Sequence, residues 1–207
     1  MSKYSAIILA GGKGIRYQSK KQELLFHGKP LWMYPYDTAL KLIPKDRIIV
    51  VGVDIPGGST RTESVQKGLL AIPSDTDRVF ILEAARPLVT IEQIMQILSE
   101  DHPSSTFVRP LVNSVIYRNG TYVERDDLFV MNSPQAFDYA MLLEAYQSGR
   151  FCNLTDDTRV MYEYHGIKPN FIETGSNLYK LTYPEDIHII EAIYQMQNKA
   201  EKDLCDA

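Results

Sequence analysis

A short apolar run that ends in a cluster of glycines constrains this chain more than any other stretch. Ala6 to Leu9 is short enough to be a buried strand, and the glycines that follow it are Gly11, Gly12 and Gly14. Such glycines let backbone N–H groups approach an anion closely. Four cations then lie within nine positions: Lys13, Arg16, Lys20 and Lys21. The stretch therefore predicts a phosphate-binding loop after the first strand.

Two familiar glycine loops are absent from this stretch. The pattern G-x-x-x-x-G-K-[ST] of a P-loop does not occur, and Tyr17 stands where the third glycine of G-x-G-x-x-G would fall. An ordinary tight turn from strand to helix, with solvated lysines, remains the alternative for this stretch taken alone.

The composition limits the class of protein. The length suits a single domain over residues 1–207, and a net charge of −4 argues against a general nucleic-acid binder. Cys152 and Cys205 lie far apart without a Cys/His cluster, so neither a disulfide nor structural zinc is expected. We find no signal peptide and no apolar run long enough to cross a bilayer, which predicts a cytoplasmic protein without membrane contact.

Strand and helix signals alternate along the chain. Short β-branched runs occur at Arg47–Gly52, Arg78–Leu82 and Ser105–Val108. A capping box is predicted to open a helix at Thr60–Glu63, and further helix starts are predicted at Thr90–Gln93 and at Thr182–Glu185, where Pro184 is expected in the first turn. This order predicts an α/β fold with a doubly wound, mostly parallel sheet. The connection Gly52–Ser59 is unexpectedly short for a crossover helix between parallel strands.

Residues 112–131 interrupt this alternation. Ser114–Arg118 and Thr121–Glu124 flank Asn119-Gly120, a dipeptide that strongly favours a two-residue hairpin turn. An isolated two-stranded hairpin is only marginally stable in water, so the segment is expected to pack on another surface. We predict a protruding β-hairpin arm that dimerises with a second subunit. A hairpin folded back onto its own domain is the alternative.

Eight segments, in order along nearly the whole chain, resemble one family. The family comprises the cytidylyltransferases that activate methylerythritol phosphate or pentitol phosphates such as ribitol 5-phosphate. The matching segments are Leu9–Arg16, Lys21-Gln22, Gly57–Val65, Ala84–Pro87, Arg125–Phe129, Ser133–Phe137, Thr155–Asp157 and Asn177–Asp186. A single match of this kind would be weak, whereas the ordered set is specific.

The resemblance implies that CTP and a sugar-alcohol phosphate react to give a CDP-alcohol and pyrophosphate. The attacking phosphate oxygen is already anionic, so no general base is needed, and catalysis rests on positioning and cationic stabilisation. By resemblance, Arg16 and Lys21 supply this charge beside Mg²⁺, although Lys20 is an alternative to Lys21. The nucleotide-binding residues implied are Leu9, Ala10, Gly11, Gly12, Gly14, Gly58, Ser59, Arg61 and Ser64.

Further residues are implied for metal and acceptor. Glu83 stands where the family usually has Asp, facing metal or substrate, and a structural Glu that pairs with Arg86 is the alternative. Arg86, Ser114 and Lys180 are implied in positioning the acceptor, and Arg125 in reaching its phosphate across a homodimer. Surface positions are the alternative for Arg125 and Lys180. For Asp156 and Asp157 we favour a helix cap and a first-turn acid over site residues.

The arm resembles the pentitol-phosphate branch of the family more closely, although it matches neither branch in full. The usual Asp-Thr pair is Asn113-Ser114 here, followed by apolar Val115 and Ile116 where methylerythritol-phosphate enzymes usually carry a lysine. The leading hypothesis is therefore a pentitol-phosphate type enzyme that makes a precursor of a cell-surface polysaccharide. The alternatives are a methylerythritol-phosphate cytidylyltransferase of isoprenoid synthesis and a nucleotide-binding partner protein with degraded catalysis.

Overall fold

The computed structural model describes residues 2–11, 24–175 and 178–205. The predicted positions Gly12, Gly14, Arg16 and Lys21 lie outside these residues. The strands of the described part are β1 (Tyr4–Leu9), β2 (Leu25–Phe26), β3 (Lys29–Pro30), β4 (Ile48–Val51), β5 (Arg78–Glu83), β6 (Ser104–Pro110), β7 (Phe129–Asp138) and β8 (Asn170–Glu173). Its helices are α1 (Met33–Leu40), α2 (Arg61–Ala71), α3 (Ile91–Ser99), α4 (Tyr139–Gln147), α5 (Asp157–His165) and α6 (Asp186–Cys205).

The six longer strands form one sheet in the order β4-β1-β5-β7-β6-β8. β1 runs parallel to β4 and β5, and β8 runs parallel to β6. Only β7 is antiparallel to both of its neighbours, β5 and β6, within this sheet. The predicted α/β fold with a mostly parallel sheet is confirmed, as are the three predicted strands within a few residues of their bounds.

Helices cover both faces of the sheet because its central strands are apolar on both sides. In β1, Ala6 and Ile8 belong to the core that includes Ile94 of α3, whereas Ile7 belongs to the opposite core with Leu69 of α2. A third, smaller core joins β2 to α6 and includes Phe26, Leu31 and Ile190. Among the described residues, no helix is both long enough and apolar enough to cross a membrane.

Helix α2 explains the short connection after β4. β4 is an edge strand, and the chain must cross β1 to reach β5. α2 lies between β4 and β5 in the sequence and packs on β1, so it is itself the crossover helix. The expectation that a crossover is missing was therefore wrong, because the short segment 52–60 leads into the crossover rather than replacing it.

The helix starts follow the predicted caps in two of three cases. Thr60 caps α2 by accepting from the Glu63 N–H, but the Glu63 carboxylate accepts from Ser59, so the capping box predicted there is only half formed. Thr90 forms a full capping box with Gln93. The third helix start was predicted too early in the chain. Helix α6 begins at Asp186, after a turn that contains Pro184, rather than at Thr182. The Asp186 carboxylate accepts from the backbone N–H groups of Thr182 and Tyr183, which stops the helix from extending backwards.

The predicted hairpin occurs between β6 and β7, but its strands are very short. Ile116 and Tyr122 form a single antiparallel bridge around the Asn119-Gly120 turn, and the Tyr117 N–H donates to the Thr121 carbonyl at 2.8 Å. Both bridge residues are exposed, as is Tyr117. The segment has the shape of an arm, and its role in dimerisation stays a prediction.

Candidate active site

The site is built where β4, β1 and β5 end. Leu9 at the end of β1 stands between Val51 of β4 and Glu83 of β5 in the parallel register. The Ala10 N–H donates to the Val51 carbonyl at 2.9 Å, and the Ala84 N–H donates to the Leu9 carbonyl at 3.1 Å. These bonds hold the loops that follow the three strands side by side, at the edge where ligands bind in open α/β sheets.

Glycine is required where two of these loops touch. A Cβ on Gly52 would lie 2.6 Å from the Cα of Gly11, and the φ of Gly52 is +102°. A Cβ on Gly11 would lie 3.2 Å from the Cα of Gly57. The backbones of residues 10–11, 52 and 57 therefore pack without intervening side chains.

The segment from Gly58 to Ser64 is braced by its own polar side chains. The Gly58 N–H donates to Ser64 Oγ at 2.9 Å, and that hydroxyl donates to the Thr60 carbonyl at 2.9 Å. The N–H and hydroxyl of Ser59 both donate to one oxygen of Glu63, each at 2.6 Å. The hydrogen bond from the Ser59 hydroxyl is the main cause that lowers the pKa of Glu63 to about 2.

Glu83 is surrounded by cations at the end of β5. Lys180 Nζ lies 2.9 Å from its Oε1 and 2.8 Å from its Oε2, and Arg86 Nε lies 3.3 Å from Oε2. The Ser133 hydroxyl donates to the same carboxylate at 3.3 Å. Burial alone would raise the pKa of Glu83, but Lys180, Arg86 and Arg61 outweigh it and lower the pKa to about 2.

Arg61 connects this cluster to α5. Its two terminal nitrogens donate to the two oxygens of Asp157 at 2.8 and 2.6 Å, and its Nε lies 3.9 Å from Glu83. Asp157 is fully buried and also accepts from the Tyr146 hydroxyl. Burial would lower the pKa of Arg61, but the nearby Asp157 raises it above its ordinary value.

Arg86 leads from the cluster into a pocket of about 250 Å³. The Arg86 guanidinium donates to the Leu178 carbonyl and is nearly buried. Burial lowers the pKa of Arg86, against the opposing effect of Glu83. The pocket is lined by Arg86, Arg109, Val130, Asn132, Gly175, Leu178, Tyr179, Lys180, Thr182, Tyr183 and Asp186.

A known family matches most of the chain that carries this arrangement. The family described as IspD: 2-C-methyl-D-erythritol 4-phosphate cytidylyltransferase matches residues 38–196. The chain belongs to this family. It is a CTP-dependent nucleotidyltransferase, and the resemblance inferred from the ordered motifs is confirmed.

Relatives and solved structures agree with this assignment. A 2-C-methyl-D-erythritol 4-phosphate cytidylyltransferase of Clostridium botulinum (strain Okra / Type B1) is 32% identical, with 94% of this chain and 99% of the relative covered. The bifunctional IspDF from Campylobacter jejuni has a TM-score of 0.79 at 26% identity, covering 90% of this chain and 54% of that one. The 4-diphosphocytidyl-2C-methyl-D-erythritol synthase from Anaerococcus prevotii DSM 20548 shares the fold, with a TM-score of 0.77 at 22% identity, covering 94% and 99%.

The cytidylyltransferase brings together ten of the residues implied by its motifs. These lie around the strand ends: Leu9, Ala10, Gly11, Gly58, Ser59, Arg61, Ser64, Glu83, Arg86 and Lys180. Two others are on the arm: Ser114 is exposed, and the Arg125 guanidinium donates to the Val112 carbonyl of the same arm.

Glu83 does not fit a Mg²⁺ ligand in this arrangement. Both of its oxygens face Lys180, and Arg86 and Arg61 add further positive charge. In the part of the cytidylyltransferase that the structure describes, no group of three or more His, Cys, Asp or Glu side chains could hold a metal ion. These contacts correspond to the structural alternative for Glu83, and we derive no step through a metal bound there.

Sequence reasoning missed several contributors to the site. Asp156 is the N-cap of α5, as favoured, and accepts from the Thr158 N–H at 2.9 Å. Asp157 is more than a first-turn acid, because it is the buried partner of Arg61. The Thr155-Asp156-Asp157 motif signalled both positions, but nothing local to it identifies Arg61 as the partner. Ser133 opens the Ser133–Phe137 segment of the family resemblance but was assigned no role, and neither Tyr146 nor Arg109 carried a signal of its own.

Proposed function

We propose that this cytidylyltransferase transfers CMP from CTP to a phosphorylated sugar alcohol, giving a CDP-alcohol and pyrophosphate. The observation that carries the proposal is the cluster of Lys180, Arg86 and Arg61 around Glu83, at the sheet edge where β1 ends and leads into the backbone contact of Gly11 with Gly57. An oxygen of the acceptor phosphate attacks the α-phosphorus of CTP, and the bond from that phosphorus to the bridging oxygen of pyrophosphate breaks.

No side chain has to remove a proton in this reaction. The attacking oxygen is anionic at neutral pH, so the protein must bring two anions together and stabilise the charge at phosphorus. Lys180 suits this task because its ammonium has three N–H donors while Glu83 is its one hydrogen-bonded side-chain partner among the described residues. Glu83 holds the ammonium of Lys180 in place. Because the Lys180 side chain is only half-buried, its other N–H donors can reach a ligand.

The braced loop supports binding of the nucleoside. The Gly58–Ser64 segment keeps its shape through Ser64 and Glu63, so its backbone groups are fixed before a ligand arrives. Preorganised polar groups lose little conformational entropy on binding, which favours selective recognition of a base edge. We propose that this segment reads cytosine and ribose.

Two acceptors are candidates for the phosphorylated sugar alcohol. The names of the relatives support methylerythritol 4-phosphate, which we propose as the first acceptor to test. The arm supports a pentitol phosphate as the second candidate, and with it a product destined for a cell-surface polysaccharide. On the arm, Val115 and Ile116 stand where a lysine would be expected, and Ile116 is exposed.

We further propose a homodimer formed through the arm. Large apolar side chains are exposed along and beside it, including Val112, Ile116, Tyr117, Tyr122 and Phe129. Their exposure supports a protein partner, because several large apolar side chains exposed within one short segment are unfavourable in water. In such a dimer Arg125 would exchange the Val112 carbonyl for the acceptor phosphate of the other subunit.

A degraded, non-catalytic protein is less well supported. The crossover that was thought to be missing is present as α2. Glu83 is one methylene longer than the Asp that the family usually has at this position. Its carboxylate nevertheless accepts hydrogen bonds from Lys180 at 2.9 Å and from Arg86 at 3.3 Å. Cations held at a strand end can bind substrates in an enzyme whose two substrates are both anions.

The test is turnover with a panel of acceptors. Purified protein is incubated with CTP, Mg²⁺ and methylerythritol 4-phosphate, ribitol 5-phosphate or their unphosphorylated alcohols, and pyrophosphate is measured. We expect release with a phosphorylated acceptor only, faster with CTP than with UTP or ATP. Mg²⁺ is proposed as the cofactor, so EDTA should abolish release. Release that prefers UTP or ATP, or none with any phosphorylated polyol, would contradict the proposed function.

A further inference from the structure

The pocket beside the active site carries more positive charge than the mechanism above uses. Three cations line it: Arg86, Arg109 and Lys180. Arg86 and Lys180 already pair with Glu83 at the end of β5. Arg109 lies on β6, opposite Val130 of β7. It lines the pocket from the side of β7 that is away from β5 and Glu83.

Arg109 differs from the other two cations of the pocket, because no ion pair involves it in the part of the chain that the structure describes. Its side chain is exposed, and within residues 2–11, 24–175 and 178–205 no carboxylate, carbonyl or hydroxyl accepts a hydrogen bond from its guanidinium. The charge nevertheless acts on its surroundings. After burial, which is the largest cause, Arg109 further lowers the pKa of Arg86, against the opposing effect of Glu83.

Asp186, the acidic residue among those that line the pocket, already accepts hydrogen bonds from groups just before α6. The Asp186 carboxylate accepts from the N–H groups of Thr182 and Tyr183 at 2.7 and 2.8 Å, and from the Tyr179 hydroxyl at 3.2 Å. These bonds hold the start of α6. The pocket therefore combines a polar wall with a guanidinium that donates to none of the described residues, a composition that suits a small anion.

We infer that Arg109 is a specificity-determining residue that binds an anionic group of the acceptor, and that the acceptor occupies this pocket with its phosphate near Lys180. The inference rests on the proposed function and names the part of the site that selects a phosphorylated acceptor over a neutral polyol. A phosphate monoester offers the paired oxygens that a guanidinium binds best, and the pocket volume suits a molecule of this size.

The kinetic test compares Arg109→Ala, Arg109→Lys and Arg150→Ala. Arg150 is a matched control, because its guanidinium is exposed and lies over the rings of Phe151 and Tyr164 instead of lining the pocket. Arg109→Ala should raise KM for the acceptor about tenfold while KM for CTP stays within about twofold. Arg109→Lys should recover part of the loss, and Arg150→Ala should match the wild type. A rise in KM for CTP alone, or an unchanged KM for the acceptor, would overturn the inference.

A binding test separates this inference from the proposed function. Calorimetry without CTP measures ribitol 5-phosphate, methylerythritol 4-phosphate, ribitol and inorganic phosphate against the wild type and each variant. We expect the phosphorylated ligands to bind the wild type and to weaken about tenfold with Arg109→Ala. If they bind in this way but no acceptor is turned over, the proposed function fails and the inference stands. If turnover occurs but Arg109→Ala binds and reacts like Arg150→Ala, the inference fails alone. Thermal melts should be unchanged, because Arg109 is exposed and no described residue pairs with it.

Discussion

The guanidinium of Arg61 and the carboxylate of Asp157 form a bidentate ion pair across 96 residues of sequence, with N–O distances of 2.8 and 2.6 Å. Asp157 is fully buried and lies at the start of α5, while Arg61 is the first residue of α2. The pair ties the two helices together below the nucleotide loop and leaves Arg61 beside Glu83.

Asp157→Asn should destabilise the protein by about 3 kcal/mol, because it leaves the charge of Arg61 buried without its partner. Urea denaturation measures the change. Glu163→Gln is the matched control on the same helix, since it removes an exposed pair with Arg159 and should cost less than about 0.5 kcal/mol. The double variant Arg61→Met with Asp157→Leu should be more stable than Asp157→Asn. Equal stability of Asp157→Asn and Glu163→Gln would contradict the buried-pair interpretation.

Glu83 should make stability depend on pH in the acid range. Its pKa is lowered from an ordinary 4.5 to about 2, so its contribution is fully present above about pH 4.5 and is lost as the pH falls towards 2. The contribution is on the order of 2 kcal/mol, allowing for the partial exposure of Lys180. Denaturation of the wild type and of Glu83→Gln at several pH values should show a difference that is constant from pH 5 to 7 and shrinks below pH 4. A difference that grows on acidification would show the opposite sign.

Gly52→Ala should disturb both the fold and CTP binding. The added Cβ would meet the backbone of Gly11 at 2.6 Å in a left-handed conformation. We expect a loss of about 3 kcal/mol in unfolding free energy and a higher KM for CTP. Gly149→Ala is the control, because its φ is +68° but nothing lies within 4 Å of the added Cβ, so strain alone should cost about 1 kcal/mol. If both variants lose the same stability and keep the wild-type KM, the close approach of the two loops is unimportant.

The proposed dimer predicts complementation between two inactive variants. Arg125→Ala removes the cation supplied by the arm, and Lys21→Ala removes a proposed catalytic lysine of the other subunit's site. A mixed dimer then has one site with both changes and one with neither, so it should recover up to about half of the wild-type activity. Subunit exchange is verified with two affinity tags. No recovery after verified exchange would place Arg125 in its own subunit's site, and a monomer by light scattering would remove the proposal.

Local signals in the sequence predicted the features that depend on neighbouring residues. The cap at Thr60, the capping box at Thr90 and the Asn119-Gly120 turn are all present, because each depends on a few consecutive residues. The ordered motifs also indicated the family and where many of its residues gather.

Contacts between distant segments could not be predicted in the same way. Arg61 and Asp157 each sit in a recognisable motif, yet only the packing of α2 against the α4–α5 layer brings them together. The start of α6 was misplaced because Asp186, outside the predicted cap, takes the free N–H groups. Arg109 has no motif, and its position in the pocket depends on the pairing of β6 with β7.

The reversed direction of β7 separates the arm from the loops after β1 and β4, so we expect that the arm can be exchanged without changing those loops. Because β7 runs against β5 and β6, the arm leaves the sheet at the edge where β5 ends, and Ser133 of the same strand reaches Glu83. The loops that we propose bind CTP follow β1 and β4, on the other side of β5. We therefore expect that segment 111–128 can be replaced by the corresponding segment of a relative with another acceptor. The loops proposed to bind the nucleotide should keep their positions.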